Sequence, residues 1–169
     1  MKRVLPWIVV LASAAALIWW TQIRPQQTSA IVYFTGPVDG ATTIVAVPRV
    51  VAGRGAEAVL RAALGALLTG PTAQERARGL STEIPAGTRL RGVAVREGVA
   101  TIDLSEAVAT GGGSHSMRAR LWQIVYTATQ HPAAPQAQVL VEGQQRPGLG
   151  GEGVVIDRPI GRPPVFPRF

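Results

Sequence analysis

The sequence predicts an α+β fold: a two-layer sandwich with a mixed or antiparallel sheet covered on one face by two helices, preceded by an N-terminal transmembrane helix. Three observations predict it. Two segments carry apolar residues at helical period along a single side. Short β-branched runs bounded by Gly, Pro and Asp surround them, in the order β-β-α-β-β-α-β. The chain also opens on an uninterrupted apolar run. With 169 residues and a 47% hydrophobic content, the chain can bury one core of ordinary domain size.

Taken in order, Val4 to Trp20 is free of charge and Thr21-Gln22-Ile23 extends it. About 20 residues span a bilayer, and Trp19-Trp20 stand where an interfacial aromatic belt would lie. Lys2 and Arg3 precede the run, so the N-terminus is expected in the cytoplasm and the rest outside it. The alternative is a secreted domain released by cleavage near Ser13-Ala14-Ala15-Ala16. That cut would leave Leu17-Ile18-Trp19-Trp20 at the new N-terminus, a poor start for a secreted chain. With no cysteine, a lipid anchor is excluded. The expected divisions are an anchor over 1–23, a linker over 24–29, a folded domain over 30–157 and an extended Pro/Arg-rich tail over 158–169.

Ala30–Thr35 and Thr42–Val47 read as two strands of a hairpin turned by Asp39-Gly40, with Pro48 closing the second. Ala56, Val59, Leu60, Ala63, Leu64, Leu67 and Leu68 form one helical stripe, ended by Gly70-Pro71. Glu57 and Arg61 are spaced to pair on its outer face. Gly65 inside it suggests close packing. Thr72–Gly79 reads as a further helical turn. Leu90–Val95 and Val99–Leu104 are strands joined by Glu97-Gly98. Met117, Leu121, Ile124, Val125 and Ala128 mark a second helix, with Ser114 or Ser116 as its cap. Gln138–Glu142 is a strand, and Leu149–Asp157 adds a short edge element.

The net charge of +7 comes from 17 basic and 10 acidic residues. Its placement argues against nucleic acid. Lys2, Arg3 and Arg24 flank the apolar run, and Arg158, Arg162 and Arg168 lie in the tail. Between them, residues 25–157 hold eleven arginines against ten acids.

No motif assembles a catalytic or cofactor site. Gly111-Gly112-Gly113-Ser114 lacks the Lys of a phosphate loop and the spacing of a dinucleotide fingerprint. Ser114, His115 and Ser116 are adjacent rather than facing, so they do not build a triad. Asp103 and Glu106 could act as paired carboxylates of a hydrolase only if one concave pocket held both. No cysteine and only two histidines leave no metal or cofactor expected. The candidate interaction surface is Trp122 and Tyr126, i and i+4 on the second helix, beside Arg118 and Arg120.

Several segments together resemble the GerMN domain family. They are Val32-Tyr33-Phe34, Val47-Pro48-Arg49, and Ala66–Thr72 with Glu75. Gly79–Thr88, Ala100–Ser105, Gly111–Gly113 and Gln123–Thr127 follow in the same order. The resemblance covers about residues 30–157, one domain copy. It implies a non-enzymatic extracytoplasmic module, of a family associated in sporulating bacteria with assembly of a transenvelope complex. The fold it implies is similar to the ring-building motif of secretion-system rings. The chain differs from the sporulation protein in its single copy and its lack of a lipid-bearing cysteine. The expected function is a scaffold or interaction domain in the cell envelope, held in the membrane by residues 4–23. Its expected partner is an envelope protein or a second copy of itself. A cell-wall glycan such as peptidoglycan is the alternative ligand, and a hydrolase the third reading.

Overall fold

Residues 26–151 and 153–169 are described by a computed structural model. The predicted anchor and the first two linker residues lie outside them. Among the described residues no helix is long and apolar enough to cross a membrane.

Strands β1 (Gln27–Val38) and β2 (Ala41–Ala52) form a long antiparallel hairpin. Asp39 and Gly40, at φ 49° and 76°, supply the two left-handed residues its tight turn needs. Pro48 does not end β2 as expected. It stands opposite Ile31, whose N–H and C=O both turn away to Gln130. No ladder bond is required of the proline there.

Helix α1 (Gly55–Thr69) buries Val59, Leu60, Ala63, Leu64 and Leu67, the predicted stripe. Glu57 and Arg61 pair at 3.4 Å on its exposed side. Gly65 does not mark close packing, because a Cβ built there meets nothing within 4 Å. Helix α2 (Ala73–Ala77) opens on a capping box between Thr72 and Glu75.

Strands β3 (Leu90–Arg96) and β4 (Val99–Leu104) form the second hairpin. Helix α3 (Ser114–Ala128) then crosses to β5 (Gln136–Val141), which pairs parallel to β4. In place of one edge element, a small hairpin follows, β6 (Gly148–Leu149) with β7 (Val154–Val155). Strand β8 (Ile160–Gly161) returns antiparallel to β5 and ends a mixed sheet of order β3-β4-β5-β8.

The class is α+β with mixed pairing, but the strands do not share one sheet. The β1–β2 hairpin stands apart. One of its faces carries Ala30 and Val51 against Val59 and Ala63 of α1. The main core joins Val32 and Phe34 of β1 to Leu60, Leu64 and Leu67 of α1. It also takes in Ala100, Ile102 and Leu104 of β4 and Ile124 and Val125 of α3. The hairpin cannot extend the larger sheet through β1, because side chains occupy that strand's free edge.

Candidate interaction site on helix α3

The four residues singled out in the sequence, Arg118, Arg120, Trp122 and Tyr126, all lie on α3 but do not share a surface. Arg120 and Tyr126 are buried, at 4% and 3% exposure. Arg118 is exposed and Trp122 half-buried.

Arg120 is turned inward as a structural hub, which corrects its expected place on the interaction surface. Its Nε donates to the Glu83 carbonyl at 2.7 Å. Nη1 donates to the carbonyls of Val108 and Thr110 at 3.0 and 2.8 Å, and Nη2 to that of Gly111 at 2.8 Å. The 111–113 glycine run is therefore fitted to this guanidinium rather than to a phosphate. Gly112 has φ +80°, and a Cβ there would stand 2.7 Å from Arg120 Nη2. Burial lowers the Arg120 pKa, opposed by the Glu83 charge. Neither predicted serine caps the helix. Gly113 is the N-cap, and the Ser116 hydroxyl lies between Glu83 at 2.8 Å and Arg120 at 3.1 Å.

Tyr126 is covered by the chain's own C-terminal residues, which corrects its expected exposure too. The Arg162 guanidinium lies 5.2 Å from the Tyr33 ring centroid and 5.1 Å from that of Tyr126. It also donates to the Tyr126 carbonyl at 2.6 Å and to Thr129 Oγ1 at 2.9 Å. Phe166 stacks on Tyr126 at 5.1 Å, and burial raises the Tyr126 phenol pKa. At the end of the chain, the Phe169 amide donates to the Thr42 carbonyl of β2 at 2.8 Å. The segment after 158 is thus a strap rather than a free tail.

The sequence reading missed the polar residues that seal β1. Gln130 accepts from the Ile31 amide at 2.7 Å and donates to the Ile31 carbonyl at 2.8 Å. Thr127 accepts from the Tyr33 amide at 3.1 Å, and Gln123 donates to the Tyr33 carbonyl at 3.2 Å. Backbone bonds between Thr35 and Ser81, at 2.9 and 2.8 Å, continue the row. The i, i+4, i+7 spacing of Gln123, Thr127 and Gln130 carries the signal, although a polar row usually faces water.

Arg118 and Trp122 meet at a cavity of about 540 Å³ between α3 and the segment around β8. Leu121, Val154 and Ile160 supply apolar wall, and Arg158 stands in its rim.

The carboxylates are engaged elsewhere. Asp103 accepts from Arg91 at 3.2 Å and from the Gly143 amide at 2.7 Å. Glu106 is held by Arg146 at 2.6 Å, and that contact lowers its pKa. A general acid needs the opposite shift. The cavities of about 540, 470 and 230 Å³ have no carboxylate among their described lining residues. Among the described residues no group of three His, Asp or Glu is arranged to hold a metal.

The fold and this surface define a small α+β module whose buried polar side chains hold its own backbone. Residues 31–147 match the family model described as "Germane: Sporulation and spore germination", and the chain belongs to that family. The fold is similar to the tandem GerMN domains of the sporulation protein GerM from Bacillus subtilis, with a TM-score of 0.65 at 21% identity. That alignment covers 81% of this chain and 46% of the tandem structure, so the chain spans just under half the length of that relative. The first GerMN domain of GerM alone gives a TM-score of 0.62 at 17% identity, covering 80% of this chain and 98% of that one. A Clostridium perfringens protein described as a lipoprotein gives 0.58 at 26% identity, covering 80% and 88%. No curated protein matches the chain.

Proposed function

We propose that the protein is a non-enzymatic interaction domain of the cell envelope. Residues 4–23 tether it, and the domain lies on the extracytoplasmic side. The observation that carries this reading is the division of labour on α3. Arg120, Gln123 and Thr127 are committed to internal backbone groups, while Arg118 and Trp122 are left at an open groove.

The test is fractionation of the full-length tagged protein, with N-terminal sequencing and protease accessibility on intact and permeabilised cells. The reading expects carbonate-resistant membrane association, an uncleaved N-terminus and a domain reached only from the outer side. A protein that fractionates with the cytosol overturns it. A second reading, cell-wall glycan binding, is favoured by the Trp122 ring in the groove wall beside an arginine. It expects salt-sensitive co-sedimentation with purified peptidoglycan that Trp122→Ala weakens without lowering the thermal midpoint.

A further inference from the structure

We propose that the groove between α3 and β8 receives an extended acidic segment of a partner protein. This proposal rests on the reading of the chain as an interaction domain and names the chemistry of its partner. Three observations carry it.

The first is charge. Elsewhere in the chain arginines meet carboxylates directly, as Arg49 does Glu75, Arg91 Asp103 and Arg146 Glu106. Arg118 and Arg158 flank the groove, and no ion pair joins either to a carboxylate among the described residues. Two exposed guanidinium groups lining one groove, with no ion-pair partner among the described residues, fit acidic side chains.

The second is the wall between them. Leu121, Trp122, Val154 and Ile160 line about 540 Å³, which suits aliphatic side chains alternating with the acidic ones. In an extended segment successive side chains point to opposite faces, so aliphatic ones can enter the groove while the acidic ones stay outside it toward the exposed arginines.

The third is backbone. Strand β8 ends the four-stranded sheet and, among the described residues, pairs only with β5. By the alternation of antiparallel ladders, one of its two residues turns its N–H and C=O away from β5. An added peptide strand can bond those groups; a lipid chain cannot. Pro159, Pro163 and Pro164 bracket the edge and limit the pairing to a short stretch, so the side chains carry most of the recognition.

The experiment titrates the full-length protein in detergent against fluorescein-labelled heptapeptides, read by anisotropy. One peptide alternates Glu and Val and its counterpart alternates Lys and Val. The acidic peptide should bind, with affinity falling as salt rises. The double variant Arg118→Glu/Arg158→Glu should weaken it about tenfold or more and should gain binding of the Lys peptide. Both side chains are exposed, so the thermal midpoint of the variant should stay within about 2 °C. Acidic-peptide binding that the double variant leaves unchanged overturns the proposal. So does preferential capture of phosphatidylglycerol vesicles that the acidic peptide fails to displace. Cytosolic fractionation with intact peptide binding would remove the envelope reading and leave the groove assignment standing. Membrane fractionation without peptide binding would do the reverse.

Discussion

Among the described residues, strands β1 and β8 each lack a strand neighbour on one side, and each borders α3, yet the two edges are left in opposite states. Along β1 the helix and the turn after it lay down Gln123, Thr127 and Gln130, and these side chains bond the strand's amides and carbonyls as a neighbouring strand would. Along β8 the same helix sets Arg118 and Trp122 across a groove. An unpaired edge invites pairing with other chains unless something covers it. The long edge is closed at Ile31, Tyr33 and Thr35, and the edge left open is two residues long and bracketed by prolines. The difference locates accessibility on one flank of the molecule and rigidity on the other.

The largest effect should come from removing the hub that fixes α3 against its loops. Arg120→Met leaves the carbonyls of Glu83, Val108, Thr110 and Gly111 without this donor in a buried site. A loss of about 3 kcal/mol is expected in urea unfolding. By contrast, Arg118→Met, two residues away and exposed, should change stability by about 0.5 kcal/mol or less. Equal effects would break the distinction between the two flanks.

Next in size is the sealed edge itself. Gln130→Leu removes both contacts to Ile31 and leaves its N–H and C=O unpaired, for an expected loss of about 2 kcal/mol. Because β1 then presents a free edge, the variant should also self-associate in a concentration-dependent way, read by light scattering. A monomeric variant of unchanged stability would mean that these contacts do not seal the strand.

How much of this was legible in the sequence follows from the range of the interactions involved. The α1 stripe and the tight turns at Asp39-Gly40 and Glu97-Gly98 are local patterns, and they appear where periodicity places them. Pro48 misleads because its meaning depends on register: opposite Ile31 it breaks nothing, one position along it would remove a ladder bond. Arg118 and Arg120 look alike in sequence, and the carbonyls of the 108–111 segment just before the helix, with the distant Glu83 loop, decide which is drawn inside. The return of Arg162 and Phe166 onto Tyr33 and Tyr126 is likewise non-local. A proline-rich segment with isolated aromatic and basic residues carries no period that would announce it.

A smaller effect separates the hairpin's ionic tie from these hydrogen-bonded contacts. Arg49 donates to both Glu75 carboxylate oxygens, at 2.5 and 2.6 Å, and holds the Glu75 pKa down to about 2 from 4.5. The Glu75 side chain is 12% exposed. Since the folded-state value lies below the unfolded one, this stability is present above pH 4.5 and lost as pH falls toward 2. About 1–2 kcal/mol should disappear across that window in the wild type. In Glu75→Gln this part of the pH dependence should be missing, measured as urea midpoints at successive pH values. An unchanged acid profile would show that the pair does not tie β2 to α2.

The smallest effect has the opposite sign and uses a position bonded to neither edge. Gly65 lies inside α1 without a positive φ, and a Cβ there would meet no atom within 4 Å. Glycine in a helix interior gives up more backbone entropy on folding than alanine does. Gly65→Ala should therefore add about 0.5–1 kcal/mol to stability. The Thr69 hydroxyl, which donates to the Gly65 carbonyl at 3.0 Å, is undisturbed by a methyl group. Combined with Gln130→Leu, the substitution should restore part of the lost stability while the variant still self-associates, because alanine at 65 leaves the Ile31 amide and carbonyl open. If it suppressed association as well, the association would reflect global unfolding rather than an exposed β1 edge. This double variant therefore separates the cost of losing the seal from the hazard of an open strand.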